Sequence, residues 1–352
     1  MAGAHLTDRH PKVTPERLIA GLVPPPTFAS VEFDTYRPDP AEPSQAAAVA
    51  SCREFCDTAV ARRAGKKKLF GKREVLPGVG VYLDGGFGVG KTHLLASTYY
   101  RLAAGGAGDS AAASLHPAAF ATFGELTQLA GVFGFQECIE LLADYVVVCI
   151  DEFELDDPGN TTLISRLLSA LVERGVSIAA TSNTLPEQLG EGRFAAADFL
   201  REINTLASIF KTVRIEGPDY RHRDLPPAPE PPTDDEVRER AAEVSGATLD
   251  GFDELCAHLA TMHPSRYLAL IEDVTAVFVT GVHRIDDQSV ALRLVSLTDR
   301  LYDAGIPVIA SGAKLDTIFS EEMLAGGFRK KYLRATSRLL ALSHAGRDAG
   351  EG

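Results

Sequence analysis

The 352-residue sequence has no apolar stretch of about eighteen residues, so no segment reads as a helix that spans a bilayer. Its first ten residues, MAGAHLTDRH, lack the basic-then-apolar order of a secretory leader. The expectation is a cytoplasmic protein, at most peripherally attached to a membrane. The five cysteines, at 52, 56, 138, 149 and 256, are odd in number and have no CxxC pair. That excludes a disulfide framework and any zinc set read from spacing, and leaves Cys149 as a small buried hydrophobe. An excess of positive charge is also missing. Lys and Arg total 35 against 48 Asp and Glu, a formal net charge of −13, so the molecule as a whole repels a polyanion and nucleic acid is an unlikely partner. One local exception is the run of Arg62, Arg63, Lys66, Lys67, Lys68, Lys72 and Arg73, which reads first as a solvated loop, though it also suits phosphates or an anionic surface.

What is present is a normal apolar content of 45%, enough for buried cores. Residues 1–44 are proline-rich and predict an extended arm, and 45–63 follow with helical apolar spacing. From residue 76 strand and helix patterns alternate, and 145–150 form a continuous apolar run of the kind a parallel sheet buries on both faces. Helices are predicted over 125–143, 160–174 and 195–210. The fold class is α/β: a three-layer core around a parallel sheet. The organisation read from the chain is an arm, helix and basic loop over 1–75, an α/β core over 76–217, a proline-rich linker over 218–245 and a C-terminal α/β segment over 246–352. That last segment repeats the strand, helix, strand order, with Asp286, Asp287 and Gly305 standing where Asp156, Asp157 and Gly175 stand in the core.

The chemistry concentrates in three short stretches. Gly85-Gly86-Phe87-Gly88-Val89-Gly90-Lys91-Thr92 satisfies G-x-x-x-x-G-K-[ST], in which small residues let backbone N–H groups turn around phosphate oxygens. Lys91 is placed for the β and γ phosphates, Thr92 for a Mg²⁺ carried by ATP, and the next helix adds its positive N-terminal end. The run Val146-Val147-Val148-Cys149-Ile150 ends in Asp151 and Glu152. Asp151 belongs near the magnesium, and Glu152 can orient and deprotonate a water for attack on the γ phosphate. Asn183, after the next strand, is a candidate to bond the γ phosphate or that water. GTP is disfavoured. Asp156-Asp157-Pro158-Gly159 lies too far past the strand, and Ala313-Lys314-Leu315-Asp316 lacks the asparagine that would read a guanine.

At these residues the chain resembles the ZapE-type cell-division ATPases and their mitochondrial AFG-like relatives among AAA+ proteins. The resemblance is carried by 80–95, Cys149-Ile150-Asp151-Glu152-Phe153, Ala180-Thr181-Ser182-Asn183 with Pro186-Glu187-Gln188-Leu189, Phe199-Leu200, Asp219-Tyr220-Arg221, 294–311 and Ser337-Arg338-Leu339. It implies a P-loop NTPase of the AAA+ kind whose ATP hydrolysis is coupled to remodelling of a protein partner, in bacteria the FtsZ division ring, with peripheral attachment at the inner face of the cell membrane. Mg·ATP binding and an arginine contact between subunits imply a nucleotide-dependent homo-oligomer. The mitochondrial branch implies quality control of respiratory-chain proteins instead. Arginines usual before the Phe-Leu pair are replaced by Ala196, Ala197 and Asp198, which leaves Arg193 and Arg201 as candidates for a finger reaching a neighbouring subunit's ATP. Arg338, with Arg334 one turn earlier, matches a position that senses nucleotide. The family's His-rich stretch is replaced here by 120–129, so the partner stays open. A low-turnover ATP-binding switch or scaffold is the alternative from another class, and a nucleic-acid remodeller, resting on the basic run alone, is the third.

Overall fold

The computed structural model describes residues 4–12, 14–67, 73–105, 116–154, 158–185, 200–218 and 229–348. The chain divides into two units, one of residues 15–24 and 28–220 and one of residues 1–14, 25–27 and 221–352.

The first unit runs α1 (Pro15–Ala20), α2 (Pro43–Ala64), a hairpin of β1 (Lys66–Lys67) and β2 (Arg73–Glu74), β3 (Gly80–Gly85), α3 (Lys91–Gly105), β4 (His116–Thr122), α4 (Phe123–Phe133), α5 (Phe135–Ala143), β5 (Tyr145–Asp151), α6 (Pro158–Glu173), β6 (Ser177–Ser182), α7 (Leu200–Ile209) and β7 (Phe210–Ile215). Five strands form a parallel sheet in the order β4-β5-β6-β3-β7. The pleat sends alternate side chains to opposite faces, and this makes the three layers. Tyr82, Val148, Ile150, Ile178 and Ala180 join a core with residues of α4, α5, α6 and α7, while Val81, Leu83, Val147, Cys149 and Ala179 join one with residues of α2 and α3. Because every residue of β3, β5 and β6 is buried, these strands read as apolar runs rather than as alternations.

Local chemistry fixes several boundaries. Thr122 and Glu125 form a capping box at the start of α4, satisfying two of the amides that a helix start leaves unbonded. The single helix expected over 125–143 is two helices, because Gly134 takes φ +80° and turns the chain between them. Part of the basic run is structural. Arg63 donates to the carbonyls of Ala143 and, at 2.6 Å, Arg174, at the C-terminal ends of α5 and α6 where carbonyls lack partners. Arg62 donates to the Pro77 carbonyl at 3.0 Å. Lys68 and Lys72 lie outside the described residues. Cys52, Cys56, Cys138 and Cys149 are buried, and burial pushes the Cys52 and Cys56 thiols up to about 12, so they stay protonated and unreactive.

The second unit contains α8 (Asp234–Glu243), β8 (Ala247–Gly251), α9 (Phe252–Ala260), α10 (Tyr267–Leu270), β9 (Ala276–Val282), α11 (Gln288–Ala304), β10 (Val308–Gly312), α12 (Glu321–Ala325) and α13 (Arg329–Asp348). Its three strands are parallel in the order β10-β9-β8. Two features differ from the sequence reading. Residues 234–243, expected within a linker, form a helix because Thr233 and Glu236 make a capping box and Val237 and Ala241 are buried against β9 and β10 residues. The start of the expected arm is tied down: Ala4 pairs with Thr248, and the buried Asp250 carboxylate accepts the amides of Leu6 and Thr7 at 3.0 and 3.1 Å. Asp287 caps α11 and Gly305 ends it at φ +68°. Among the described residues no helix is long and apolar enough to cross a membrane.

Candidate nucleotide site

Strand β3 delivers the chain to the loop at residues 85–92, and α3 begins at Lys91. Gly88 at φ +66° and Gly90 at φ +86° take a left-handed backbone that side chains with a Cβ resist, and these two turns fold the loop back onto the helix start. Gly86 is exposed, Phe87 is partly exposed, and Val89 is buried in the α2–α3 core, which fixes the loop's outer side. The start of α3, with the positive end of its dipole, suits an anion.

The three motifs meet here. Lys91 Nζ donates to the carbonyls of Gly85 at 2.9 Å and Gly86 at 2.5 Å and to Asn183 Oδ1 at 2.8 Å, so the end of β6 reaches the loop. The Thr92 hydroxyl lies 3.1 and 3.2 Å from the two carboxylate oxygens of Asp151, at the end of β5. Asp151 is 6% exposed. The next residue, Glu152, holds φ +55°, which costs a residue with a Cβ about 1 kcal/mol and survives only where neighbours impose it.

Thr181 is that neighbour, and sequence reasoning passed over it. Its hydroxyl donates to Asp151 and accepts the Glu152 amide at 3.0 Å, while its carbonyl accepts the Phe153 amide at 2.7 Å. Phe153 is fully buried against Tyr82, Phe123 and Phe210. Strand β6 thus sets the conformation of both acids at the end of β5. The signal available was a threonine directly before Ser182-Asn183. Asp84 was also missed: a 1% exposed carboxylate one residue before the loop, to which Arg214 of β7 donates. Its mark in the sequence is an acid in an otherwise uncharged strand.

The arginines fare differently. Arg193 lies outside the described residues. Arg201 is exposed in the first turn of α7, and among the described residues no hydrogen bond joins it to the Lys91 cluster. Arg338 is 8% exposed on α13, where it donates to Asp299, lies over the Tyr302 ring at 5.1 Å and shares Asp299 with Arg334, 2.7 Å away. Its charge is committed to that carboxylate, a competing fact for the expectation that it senses nucleotide.

A lysine, a hydroxyl and a carboxylate held around a glycine turn at a helix start suit a phosphate group. The family model of the AFG1-like ATPase matches residues 12–241 and again 226–347, nearly the whole chain. This chain belongs to the AFG1-like ATPase family. It is an ATPase with a nucleotide site on a three-layer AAA+ core. Among relatives of this AFG1-like ATPase, cell division protein ZapE of Escherichia coli K12 is 27% identical over 284 residues, covering 69% of this chain and 74% of that protein. Lactation elevated protein 1 homolog B of Danio rerio is 25% identical over 229 residues, 54% of this chain but only 45% of the fish protein. A crystal structure of the DnaC helicase loader overlays 54% of this chain and 99% of its own at 17% identity, with a TM-score of 0.38 that carries no functional reading.

Proposed function

We propose that this AFG1-like ATPase couples Mg²⁺-dependent ATP hydrolysis to remodelling of a protein partner in cell division, with the FtsZ ring as the candidate. The observation that supports it most is the likeness to ZapE over 69% of the chain, beside the meeting of Lys91, Thr92, Asp151 and Asn183 around the loop. In this reading Lys91 and the loop amides bind the β and γ phosphates. Glu152 takes a proton from water as the water oxygen bonds the γ phosphorus, and the bond to the β-phosphate oxygen breaks to release ADP and phosphate. Asn183, already beside Lys91, orients the water or the γ phosphate.

Among the described residues no group of three or more His, Cys, Asp or Glu is arranged to hold a metal alone. Thr92 and Asp151 nonetheless fit Mg²⁺, a hard cation that uses one or two protein oxygens and takes the rest of its shell from water and phosphate. When bound it neutralises phosphate charge. The finger that completes catalysis would be Arg193 or Arg201 of a second copy, which makes the active species a nucleotide-assembled homo-oligomer. Peripheral attachment at the inner face of the membrane belongs to the same reading.

The test is ATP turnover of the full chain across protein concentration, with and without purified FtsZ, beside Lys91→Ala and Glu152→Gln. Turnover that rises with concentration or with FtsZ, vanishes in Lys91→Ala and falls about 100-fold or more in Glu152→Gln is the expected result. Binding without turnover under every condition would replace this reading with the nucleotide switch. Unchanged turnover in Glu152→Gln would remove Glu152 from its role as base.

A further inference from the structure

Residues 32–36, between the proline-rich start and α2, lie on the phosphate loop. The Tyr36 hydroxyl donates to the Val89 carbonyl at 2.7 Å. The ring presses on the loop so closely that a Cβ built at Gly90 would stand 2.4 Å from Cε2, and it meets His93 edge-on at 5.5 Å. His93 holds the segment in turn, with Nε2 3.1 Å from the Glu32 carbonyl and 3.0 Å from the Thr35 hydroxyl. The Thr35 hydroxyl gives its hydrogen to the Glu32 carbonyl at 2.8 Å, so it accepts from His93, whose proton is therefore on Nε2. Phe33 is buried, and Arg53 of α2 sits over its ring at 5.1 Å while pairing with Asp34 at 2.7 Å.

The consequence lies in the Val89–Gly90 peptide. A trans peptide is planar, so its C=O and N–H point in opposite directions. With the carbonyl drawn out to Tyr36, the Gly90 amide is turned away from the tyrosine and into the loop, where a phosphate oxygen needs a donor. Val89 stands between two glycines of positive φ, and the freedom of Gly90 makes rotation of this peptide plane cheap unless something pins it.

We propose that Tyr36 is a positioning residue for nucleotide binding, pinning the Val89–Gly90 peptide so that the Gly90 amide faces the phosphates. Burial pushes the Tyr36 phenol up to about 12, so it remains a donor throughout the physiological range. Burial also pushes His93 down, against the bond to the Glu32 carbonyl, which keeps the ring neutral in that role. The inference rests on the loop's being the phosphate site.

The test is titration of ATP into the full chain carrying Tyr36→Phe, which keeps the ring and removes the hydroxyl. The expected result is a Kd raised about 5- to 10-fold, KM raised with it, kcat at saturation within about twofold of wild type, and an unchanged unfolding midpoint without nucleotide. His93→Gln, which loosens the same segment, raises Kd in the same direction, and the double variant shows less than the product of the two effects. Wild-type ATP affinity in Tyr36→Phe, or a loss confined to kcat, would overturn the proposal. Lys91→Ala separates the premises: lost binding there with Tyr36→Phe unchanged overturns this inference alone, whereas wild-type binding in Lys91→Ala would overturn the phosphate-site reading as well.

Discussion

Thr181 carries more of the site than its neutral side chain announces. One hydroxyl donates to Asp151 and accepts from the Glu152 amide, so a single atom sets the place of both acids. Thr181→Val keeps the shape, removes the acceptor of the half-buried Glu152 amide and releases Asp151 on one side. Turnover is expected to fall roughly 10- to 100-fold, in line with the loss of a group that orients a metal-site carboxylate, while ATP binding through Lys91 persists. Thr181→Ser restores the hydroxyl and is expected to recover most of the rate. Steady-state turnover and ATP titration on the two variants check this, and a serine variant as slow as the valine one would trace the effect to packing instead. Lys91, Thr92, Asp151, Glu152 and Asn183 were legible in the sequence because each belongs to a short pattern whose chemistry is local. Thr181 and Tyr36 were not, since their roles depend on partners far away along the chain, and Arg193 falls outside the described residues.

Helices α11 and α13 share an apolar core and are also joined by an ionic cluster. Burial alone would push the Asp299 carboxyl up, but the guanidiniums of Arg334 and Arg338 outweigh it and hold the group down to about 2. An unfolded aspartate titrates at about 3.9, so the folded form binds its proton less readily. The stability this contributes is fully present above about pH 4 and is lost as pH falls toward 2. Asp299→Asn is expected to flatten that acid-side loss. At neutral pH it should destabilise the protein by about 3 kcal/mol, because both arginines, 6% and 8% exposed, lose the carboxylate charge they share. Circular dichroism through acid titration, with urea unfolding at pH 7, measures both. An acid profile identical to wild type would remove Asp299 as the titrating group. Helix and strand order was largely readable at this scale, because apolar runs and glycine stops are local. The division of 125–143 at Gly134 and the capped helix at 234–243 turned on single residues inside longer patterns.

As a whole the molecule carries a formal charge of −13, which opposes association with a polyanion. Part of the basic run is occupied, since Arg62 and Arg63 bond backbone carbonyls of their own unit. A labelled single-stranded DNA is therefore expected to show no change in fluorescence anisotropy with micromolar protein at roughly physiological salt. Binding that weakens steeply with salt and disappears on neutralising Lys66, Lys67 and Lys68 would instead make that run a nucleic-acid site. The sequence by itself determined the fold class, the phosphate loop and the acidic strand end. Glycine at positive φ, a continuous apolar strand and a lysine after a turn each act over a few residues, and their chemistry is visible wherever they occur. Only the tertiary structure decided that Tyr36 pins the loop, that Thr181 sets Asp151 and Glu152, that Arg63 caps two helices and that Arg338 is held by Asp299. Each of those depends on which distant segments the two cores bring within hydrogen-bonding distance, and no local pattern specifies that meeting.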